Sequence, residues 1–278
     1  MTKAHYTRVS QSWVAQQPGS IGVVEFYGGE FFGLWPATWY QSLLQTFFDA
    51  GYTIIAVPVQ IGFNHAKIAR HLLLERDNVR TALPQLDGLP HCWAGHSIGC
   101  KIIALLEAGT QPDNRFALPG LPPEPGLRGI LDEPSLLFTP SFADTSQAIP
   151  IPWLARLINR LGFGARPDKR QTQHLIQQGD LFNLTGLISF VGDTIAGNAE
   201  GNPATSDVAW LLQTLEARQG ERLLHTELLG KHMQPSGFRL GRHVVVPSFP
   251  DFWQALPRQV EQTGVQMLGE LLARRTVV

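Results

Sequence analysis

Five consecutive residues, Gly95-His96-Ser97-Ile98-Gly99, have the types and spacing of a serine-nucleophile turn. In a G-x-S-x-G turn the serine lies on a sharp bend between a strand and a helix, where a Cβ on either glycine would crowd the neighbouring backbone. The bend presents the hydroxyl above the sheet and places the next amide, that of Ile98, at a helix N-terminus, where it can stabilise an oxyanion. We therefore predict Ser97 as a nucleophile for acyl chemistry.

A second oxyanion-binding amide is expected from the loop after an earlier strand. Gly28-Gly29-Glu30 follows the short apolar run 21–27. Two glycines let the backbone turn inward and approach a substrate closely. We predict that Gly28, Gly29 and Glu30 form this loop and that the amide of Gly29 or Glu30 assists that of Ile98. The alternative is that the glycines only end the strand.

A serine nucleophile needs a base, and the base needs a carboxylate that orients it. Asp193 directly follows the apolar run 187–191, and His232 follows the run 223–229. Because the carboxyl ends of parallel strands share one edge of a sheet, Ser97, Asp193 and His232 are predicted to meet there. Their chain order, serine then acid then histidine, is the order found in hydrolases with this turn.

Other residues compete for the same roles. Asp132 and Glu133 follow the run 127–131, which we predict as a strand, so either one is an alternative to Asp193 as the acid. His243 is a second candidate for the base.

Three further histidines are expected to have structural roles. His96 adjoins the nucleophile, but its side chain should point away from the Ser97 hydroxyl. His225 lies in a predicted strand. His65 lies at a helix start, where loop packing is expected and contact with substrate is the alternative.

The elements that position these residues follow from the hydrophobic pattern. Strands are predicted at 21–27, 52–59, 92–94, 127–131, 187–191 and 223–229, and helices at 36–50, 64–83, 98–108 and 252–275. Asn64 is predicted to cap the second of these helices. Strands that alternate with helices of 10–20 residues are typical of right-handed β-α-β units. The predicted fold class is α/β, with a mostly parallel central sheet and helices on both faces.

We predict a single domain, 1–278, in which residues 134–183 form an insertion. This segment has a proline-rich start and helical patterns at 152–161 and 168–178, and it is too long for a connecting loop. We expect a helical cap over the carboxyl edge of the sheet. Its apolar side chains line an acyl pocket or, as the favoured alternative, pack the cap itself: Ile149, Ile151, Trp153, Leu154, Leu157 and Ile158.

Composition excludes several classes of protein. Hydrophobic residues make up 44% of the chain, which excludes a disordered chain, and the net charge of −1 predicts no nucleic-acid partner. No stretch is apolar enough for a membrane span, so we expect a soluble, cytoplasmic protein, or a plastid protein in a plant. Basic residues beside an apolar stripe give only a weak signal for contact with a membrane surface: Arg156, Arg160 and Arg166.

No spacing typical of a metal site, a dinucleotide fingerprint or a Walker loop is present, so no cofactor is expected. Cys92 and Cys100 are predicted to be free thiols, buried at least in part.

Two segments resemble a known family. They are FYGGEFFGLWPATWYQSLLQTFFDAGYTIIAVPVQIGFNHAKIAR (Phe26–Arg70) and AGHSIGCK (Ala94–Lys101). Both resemble a domain family of unknown function from cyanobacteria and plant plastids. The turn, the Gly-Gly loop and the Ser–Asp–His order resemble the α/β-hydrolase superfamily over nearly the whole chain. Glu30 departs from the superfamily pattern, because a carboxylate close to an oxyanion is unfavourable unless its side chain points outward.

The resemblance implies an α/β-hydrolase fold and, by analogy only, a serine hydrolase that acts on an ester, thioester or amide. The implied partner is a small-molecule acyl substrate. The alternative is a non-catalytic binding or scaffold protein that uses the same pocket. Acyl transfer shares the first chemical step with hydrolysis and is not separated from it by sequence.

Overall fold

The computed structural model describes residues 3–60, 62–142, 165–179, 183–248, 250 and 252–275. Its central sheet contains eight strands in the order β1-β2-β4-β3-β5-β6-β7-β8. The strands are β1 (Thr7–Val9), β2 (Ser12–Ala15), β3 (Gly22–Tyr27), β4 (Tyr52–Val57), β5 (His91–His96), β6 (Ser135–Phe138), β7 (Thr185–Phe190) and β8 (Leu224–Leu228). Strands β3 to β8 pair in parallel, whereas β1 and β2 are antiparallel to their neighbours.

Helices cover both faces of the sheet. They are α1 (Pro36–Trp39), α2 (Gln41–Asp49), α3 (His65–Ala82), α4 (Ile98–Gly109), α5 (Lys169–Gln178), α6 (Asp207–Gln219) and α7 (Gln259–Arg275). Apolar residues of α3, α4 and α6 form one core cluster, and those of α2 and α7 form the other. Alternate residues of β3 serve the two clusters, because successive side chains of a strand point to opposite faces.

A small antiparallel sheet lies outside the central one. It consists of β9 (Phe238–Leu240), β10 (His243–Val245) and β11 (Trp253–Ala255), in the order β11-β10-β9. This sheet follows His232 in the chain and precedes α7.

Local capping sets the starts of two helices. The side chain of Asn64 accepts a hydrogen bond from the Lys67 amide at 3.0 Å, which satisfies one free N–H of α3. Asp168 and Gln171 form a capping box at the start of α5. The sequence-based predictions of a cap at Asn64 and of a helix from about Asp168 are confirmed.

One predicted strand is wrong. Residues 127–131 form a loop, and the sheet instead uses β6, which begins directly after Pro134. The carbonyl groups of Arg128 and Gly129 accept hydrogen bonds from the Arg76 guanidinium at 2.8 and 2.6 Å, so they do not join a strand ladder. Leu127 and Ile130 are buried beneath this loop, which explains the apolar pattern that suggested a strand.

Other differences concern elements with weak periodic signals. The strands β1, β2 and β9 to β11 and the helix α6 were not predicted from the sequence. The helix predicted over 36–50 is divided between α1 and α2, and the last helix begins at Gln259 rather than near 252.

The predicted insertion 134–183 contains both a core strand and a helix. Because β6 belongs to the central sheet, any cap begins after residue 138. Helix α5 packs against α4. The predicted helix over 152–161, the apolar side chains proposed for an acyl pocket and the basic residues Arg156 and Arg160 lie outside the described residues.

Two further predictions can be compared with the described ranges. Within them, no helix is long and apolar enough to cross a membrane. Cys92 and Cys100 are both buried and free, as predicted.

Candidate active site

Ser97 lies on a strained bend between β5 and α4, with φ 55° and ψ −119°. Its N–H donates to the Phe138 carbonyl at 3.1 Å, which ties the bend to the end of β6. A Cβ on Gly99 would lie 2.2 Å from the Tyr27 carbonyl oxygen, and one on Gly95 would lie 2.7 Å from Ile103 Cδ1. The two glycines are therefore required by close packing around the serine.

The three predicted residues Ser97, His232 and Asp193 form one chain of hydrogen bonds. His232 Nε2 lies 2.8 Å from Ser97 Oγ, and His232 Nδ1 lies 2.8 Å from Asp193 Oδ2. Because a carboxylate only accepts hydrogen bonds, Nδ1 is the donor to Asp193 and Nε2 is left to accept the serine proton. This is the arrangement that a serine nucleophile and its base require.

Asp193 is held by more than the histidine. Its Oδ1 accepts hydrogen bonds from the amides of Ile195 and Ala196 at 2.8 and 3.0 Å, and its Oδ2 accepts one from the Thr139 hydroxyl. Burial favours the neutral acid, but the hydrogen bond from His232, the charge of that ring and the other donors outweigh burial and hold the pKa of Asp193 below its usual value. Asp193 is therefore a carboxylate at neutral pH.

His96 points away from Ser97 Oγ and joins two loops. Its Nε2 donates to the His232 carbonyl at 2.9 Å, so Nδ1 accepts from the Tyr40 hydroxyl at 2.8 Å. The Tyr40 hydroxyl in turn accepts the Gly29 N–H at 2.7 Å. Burial and the nearby His232 ring lower the pKa of His96 to about 3, which keeps the imidazole neutral.

This network changes the expected oxyanion site. The Gly29 amide, one of the two predicted from the Gly-Gly loop, is already used by Tyr40. Among the described residues, the amides of Ile98 and Glu30 have no hydrogen-bond partner. Gly28 has a packing role, because a Cβ there would lie 2.7 Å from the Gly33 Cα atom. The Ile98 and Glu30 amides are thus the available pair.

The alternative acids lie at the amino-terminal ends of the strands, opposite the carboxyl ends that carry Ser97, Asp193 and His232. Asp132 and Glu133 precede β6 instead of following a strand. Glu133 accepts hydrogen bonds from Arg80 at 2.7 and 2.9 Å and from Trp93 Nε1 at 2.6 Å. These contacts contradict Asp132 or Glu133 as the partner of His232, and the misplaced strand at 127–131 explains the error.

The remaining histidines also have defined surroundings. His243 lies at the exposed start of β10, and its ring packs edge-on against Trp253, with 6.0 Å between the ring centroids. His225 Nε2 lies 3.1 Å from Ser189 Oγ. The histidine that contacts Ser97 is His232, so the second candidate for the base is not supported.

A small cavity adjoins the two free amides. Its volume is about 20 Å³, room for about one water molecule, and it opens to solvent. Val59, Ile68, Ile98 and Ile102 supply an apolar lining, and Glu30, Phe31, Gln60 and His65 lie on its wall with Gly29 and Gly62. Residues of both predicted oxyanion loops line this cavity.

Two residues of the site were missed from sequence. Thr139 follows β6 directly. Because the strand was predicted at 127–131, the position of Thr139 at a strand end was not recognised. Tyr40 ends α1, and an isolated tyrosine in a helical pattern carries no sign of a long-range hydrogen bond. Within the described ranges, no group of three or more His, Cys, Asp or Glu side chains could hold a metal ion.

Solved structures of esterases share this architecture. Esterase B from Lactobacillus rhamnosis, in a structure with a C4-C4 SN3 tributyrin phosphonate, is similar over 99% of this chain and 87% of its own, with a TM-score of 0.62 at 13% identity. This chain therefore has the α/β-hydrolase fold. A Pyrococcus furiosus esterase is similar over 98% of this chain and 93% of its own, with a TM-score of 0.57 and 12% identity. The structural similarity supports a shared α/β-hydrolase fold. At these low identities it does not support a shared substrate.

The sequence comparisons are narrower. Residues 5–115 match the family described as "Protein of unknown function (DUF1350)". The match includes both segments that carry the family resemblance and the Ser97 turn, while Asp193 and His232 lie beyond it. No curated protein sequence matches the chain significantly. In this α/β-hydrolase fold, the candidate site therefore combines a family-matched nucleophile turn with partners from the unmatched part of the chain.

Proposed function

We propose that the protein is a serine hydrolase that cleaves esters or thioesters of a small acyl substrate without a cofactor. One observation carries the proposal, the unbroken chain of hydrogen bonds from Asp193 through His232 to Ser97, with 2.8 Å at each step. A purely structural serine would not need a buried histidine and carboxylate aligned on its hydroxyl. The esterases with the same fold are consistent with this reading.

The chemistry follows from these contacts. Ser97 Oγ attacks the carbonyl carbon while His232 Nε2 takes its proton, and Asp193 stabilises the imidazolium. The oxyanion accepts hydrogen bonds from the Ile98 and Glu30 amides. His232 then protonates the leaving oxygen or sulfur as the bond to the acyl carbon breaks. Water then attacks the acyl-enzyme while His232 takes its proton. The bond from the acyl carbon to Ser97 Oγ breaks as His232 returns the proton to Oγ, which releases the free acid.

A binding or scaffold protein, which is the alternative function, would not require Asp193, His232 and Ser97 to lie within hydrogen-bond distance of one another. It is therefore the weaker hypothesis. Acyl transfer remains a variant of the proposal, since an alcohol or amine would replace water in the second step. Analysis of products with and without an added alcohol separates hydrolysis from transfer.

Covalent labelling with a fluorophosphonate probe, read by intact mass, tests the proposal. We expect one label per chain on Ser97, none on Ser97→Ala, and labelling slowed at least about 100-fold in Asp193→Ala and His232→Ala. Ser189→Ala is a matched control, because Ser189 also has a histidine partner, His225 at 3.1 Å, but lies within a strand. A folded wild-type protein that is not labelled would refute the hydrolase proposal.

A further inference from the structure

Thr139 is the first residue after β6, and its backbone is strained. Its φ angle is 45°, in the left-handed region that a β-branched residue rarely adopts, and its side chain is fully buried. A conformation of this kind persists only where the surrounding contacts hold it, and such residues are concentrated at functional sites. Packing alone therefore does not account for a threonine at this position.

Backbone hydrogen bonds hold Thr139 between the nucleophile bend and the strand that leads to the acid. Its N–H donates to the Ile188 carbonyl of β7 at 2.8 Å. On the other side, the Phe138 carbonyl accepts the Ser97 N–H at 3.1 Å, and the Ser141 N–H donates to the Ser97 carbonyl at 3.3 Å. This short segment is thus bonded to β7 and to the nucleophile bend at the same time.

The order of the strands explains how Thr139 reaches the acid. Strands β5, β6, β7 and β8 are consecutive neighbours in the sheet and pair in parallel. At their carboxyl ends they lead, in the same order, to Ser97, Thr139, Asp193 and His232. Each of the four neighbouring strands therefore supplies one residue to a single cluster of hydrogen bonds.

The Thr139 hydroxyl shares an acceptor with the imidazole of His232. It donates to Asp193 Oδ2, the same oxygen that accepts the proton of His232 Nδ1. The hydroxyl oxygen also lies 3.5 Å from His232 Nδ1. Three polar atoms from three strand ends therefore meet at one point, and the Thr139 hydroxyl supplies the donor that does not take part in proton transfer.

These contacts fix both ends of the Asp193 carboxylate. The amides of Ile195 and Ala196 hold Oδ1, and the Thr139 hydroxyl holds Oδ2 where it meets the imidazole. A hydroxyl that donates to Oδ2 favours the ionised acid, which only accepts hydrogen bonds, so the facing Nδ1 must carry the proton. The contact thereby favours the tautomer of His232 whose Nε2 can accept a proton.

We propose that Thr139 is a positioning residue, whose hydroxyl orients the Asp193 carboxylate so that the proton stays on His232 Nδ1 and Nε2 is free to accept the proton of Ser97. The inference rests on the proposed function, because it concerns the same three residues. Thr139 is fully buried and acts through Asp193, with no contact to the substrate.

Two substitutions separate the hydroxyl from the shape of the side chain. Thr139→Val keeps the branched side chain and the backbone strain but removes the hydroxyl, whereas Thr139→Ser keeps the hydroxyl. For a butyryl ester we expect kcat to fall about 10- to 100-fold in Thr139→Val, because the base is no longer held in place. KM should change little, since no contact with the substrate is lost. Thr139→Ser should recover most of the wild-type kcat.

Thr185→Val is the matched control. Thr185 is also buried and belongs to β7, but its hydroxyl donates to the Asn183 carbonyl at 3.0 Å, at the opposite end of that strand from Asp193. Its loss should lower the free energy of unfolding and leave kcat and KM unchanged. If Thr139→Val also kept the wild-type kcat, Thr139 would have a structural role only, and the proposal would be overturned.

An NMR measurement tests the positioning role without relying on catalysis. At alkaline pH, where an imidazole is neutral, the ¹⁵N signals of the His232 ring report which nitrogen carries the proton. In wild type and Thr139→Ser we expect well-separated signals from a protonated Nδ1 and an unprotonated Nε2. In Thr139→Val the two signals should move towards each other as the second tautomer becomes populated. Unchanged signals in Thr139→Val would overturn the proposal.

Together, the measurements distinguish failure of this proposal from failure of the proposed function. A wild-type protein that fluorophosphonate does not label, but whose His232 signals depend on the Thr139 hydroxyl, would refute the hydrolase and still support the role of Thr139 in orienting Asp193. Labelling at Ser97 that is equally fast in wild type and Thr139→Val, with identical His232 signals, would leave the hydrolase standing and refute the role of Thr139.

Discussion

The imidazole of His96 donates its Nε2 proton to the main-chain carbonyl of His232, across 2.9 Å. The residue that precedes the nucleophile thus holds the loop that carries the base. Through Tyr40, the same ring is also connected to the Gly29 amide in the oxyanion loop. One buried hydrogen-bond network therefore links the three loops on which the proposed reaction depends.

Tyr40→Phe should lower activity without displacing any catalytic group directly. The change leaves His96 Nδ1 and the Gly29 N–H unpaired in a buried site, so we expect kcat/KM for a butyryl ester to fall about 10- to 100-fold as the loops shift. The free energy of unfolding should fall by about 1–3 kcal/mol. Tyr27→Phe is the control, because the Tyr27 hydroxyl is buried without a partner among the described residues. Equal activity of Tyr40→Phe and Tyr27→Phe would contradict the role of the network.

The identity of the acid can be tested by comparing two carboxylates. Asp193→Ala should slow fluorophosphonate labelling by at least about 100-fold, because His232 loses its partner. Glu133→Ala should leave labelling unchanged but lower the free energy of unfolding by about 1–3 kcal/mol, because Arg80 and Trp93 lose a shared partner. Labelling rates and urea denaturation of both variants give the answer. The reverse pattern would make Glu133 the acid.

Gly99→Ala should prevent formation of the nucleophile bend. The new Cβ would lie 2.2 Å from the Tyr27 carbonyl oxygen, a contact that requires backbone movement. We expect loss of labelling and a decrease in the free energy of unfolding of at least about 3 kcal/mol. Gly269→Ala in α7 is the control, since no atom lies within 4 Å of the new Cβ, and a gain of up to about 1 kcal/mol is expected there. Normal labelling of Gly99→Ala would show that the bend tolerates a side chain.

Two buried neutral histidines predict a loss of stability in acid. His65 and His96 each have a pKa lowered to about 3 in the folded protein, against about 6.5 in the unfolded chain. Below pH 6.5 the unfolded chain binds more protons, so the stability that these neutral rings allow is lost as the pH falls from 6.5 towards 3. The slope is up to about 1.4 kcal/mol per pH unit for each histidine.

The measurement is the difference in the free energy of unfolding between wild type and His96→Asn or His65→Asn at several pH values. A difference is needed because burial raises the pKa of Glu107 to about 8, which lowers stability as the pH rises above about 4.5 and so opposes the histidine effect. The advantage of wild type over each variant should shrink steadily below pH 6.5. A constant difference would mean that the histidine titrates alike in both states.

The sequence by itself predicted the parts of this protein that depend on residues close together in the chain. The turn at Ser97, the cap at Asn64 and the apolar runs of β3, β4, β5 and β7 are all local patterns. The mostly parallel α/β class follows from their alternation, and the α/β-hydrolase fold was implied by the resemblance. The three strand ends predicted to carry Ser97, Asp193 and His232 follow from that class of sheet.

Only the tertiary structure decided which groups around the serine are free and which are already paired. Residues 127–131 form a loop bonded by Arg76, and β6 supplies the strand instead. Thr139 therefore lies beside Asp193, and Glu133 is paired with Trp93. Tyr40 occupies the Gly29 amide from another element. These hydrogen bonds join residues far apart in the chain, so no local pattern encodes them. They form because buried polar groups must find partners once the sheet and helices have packed.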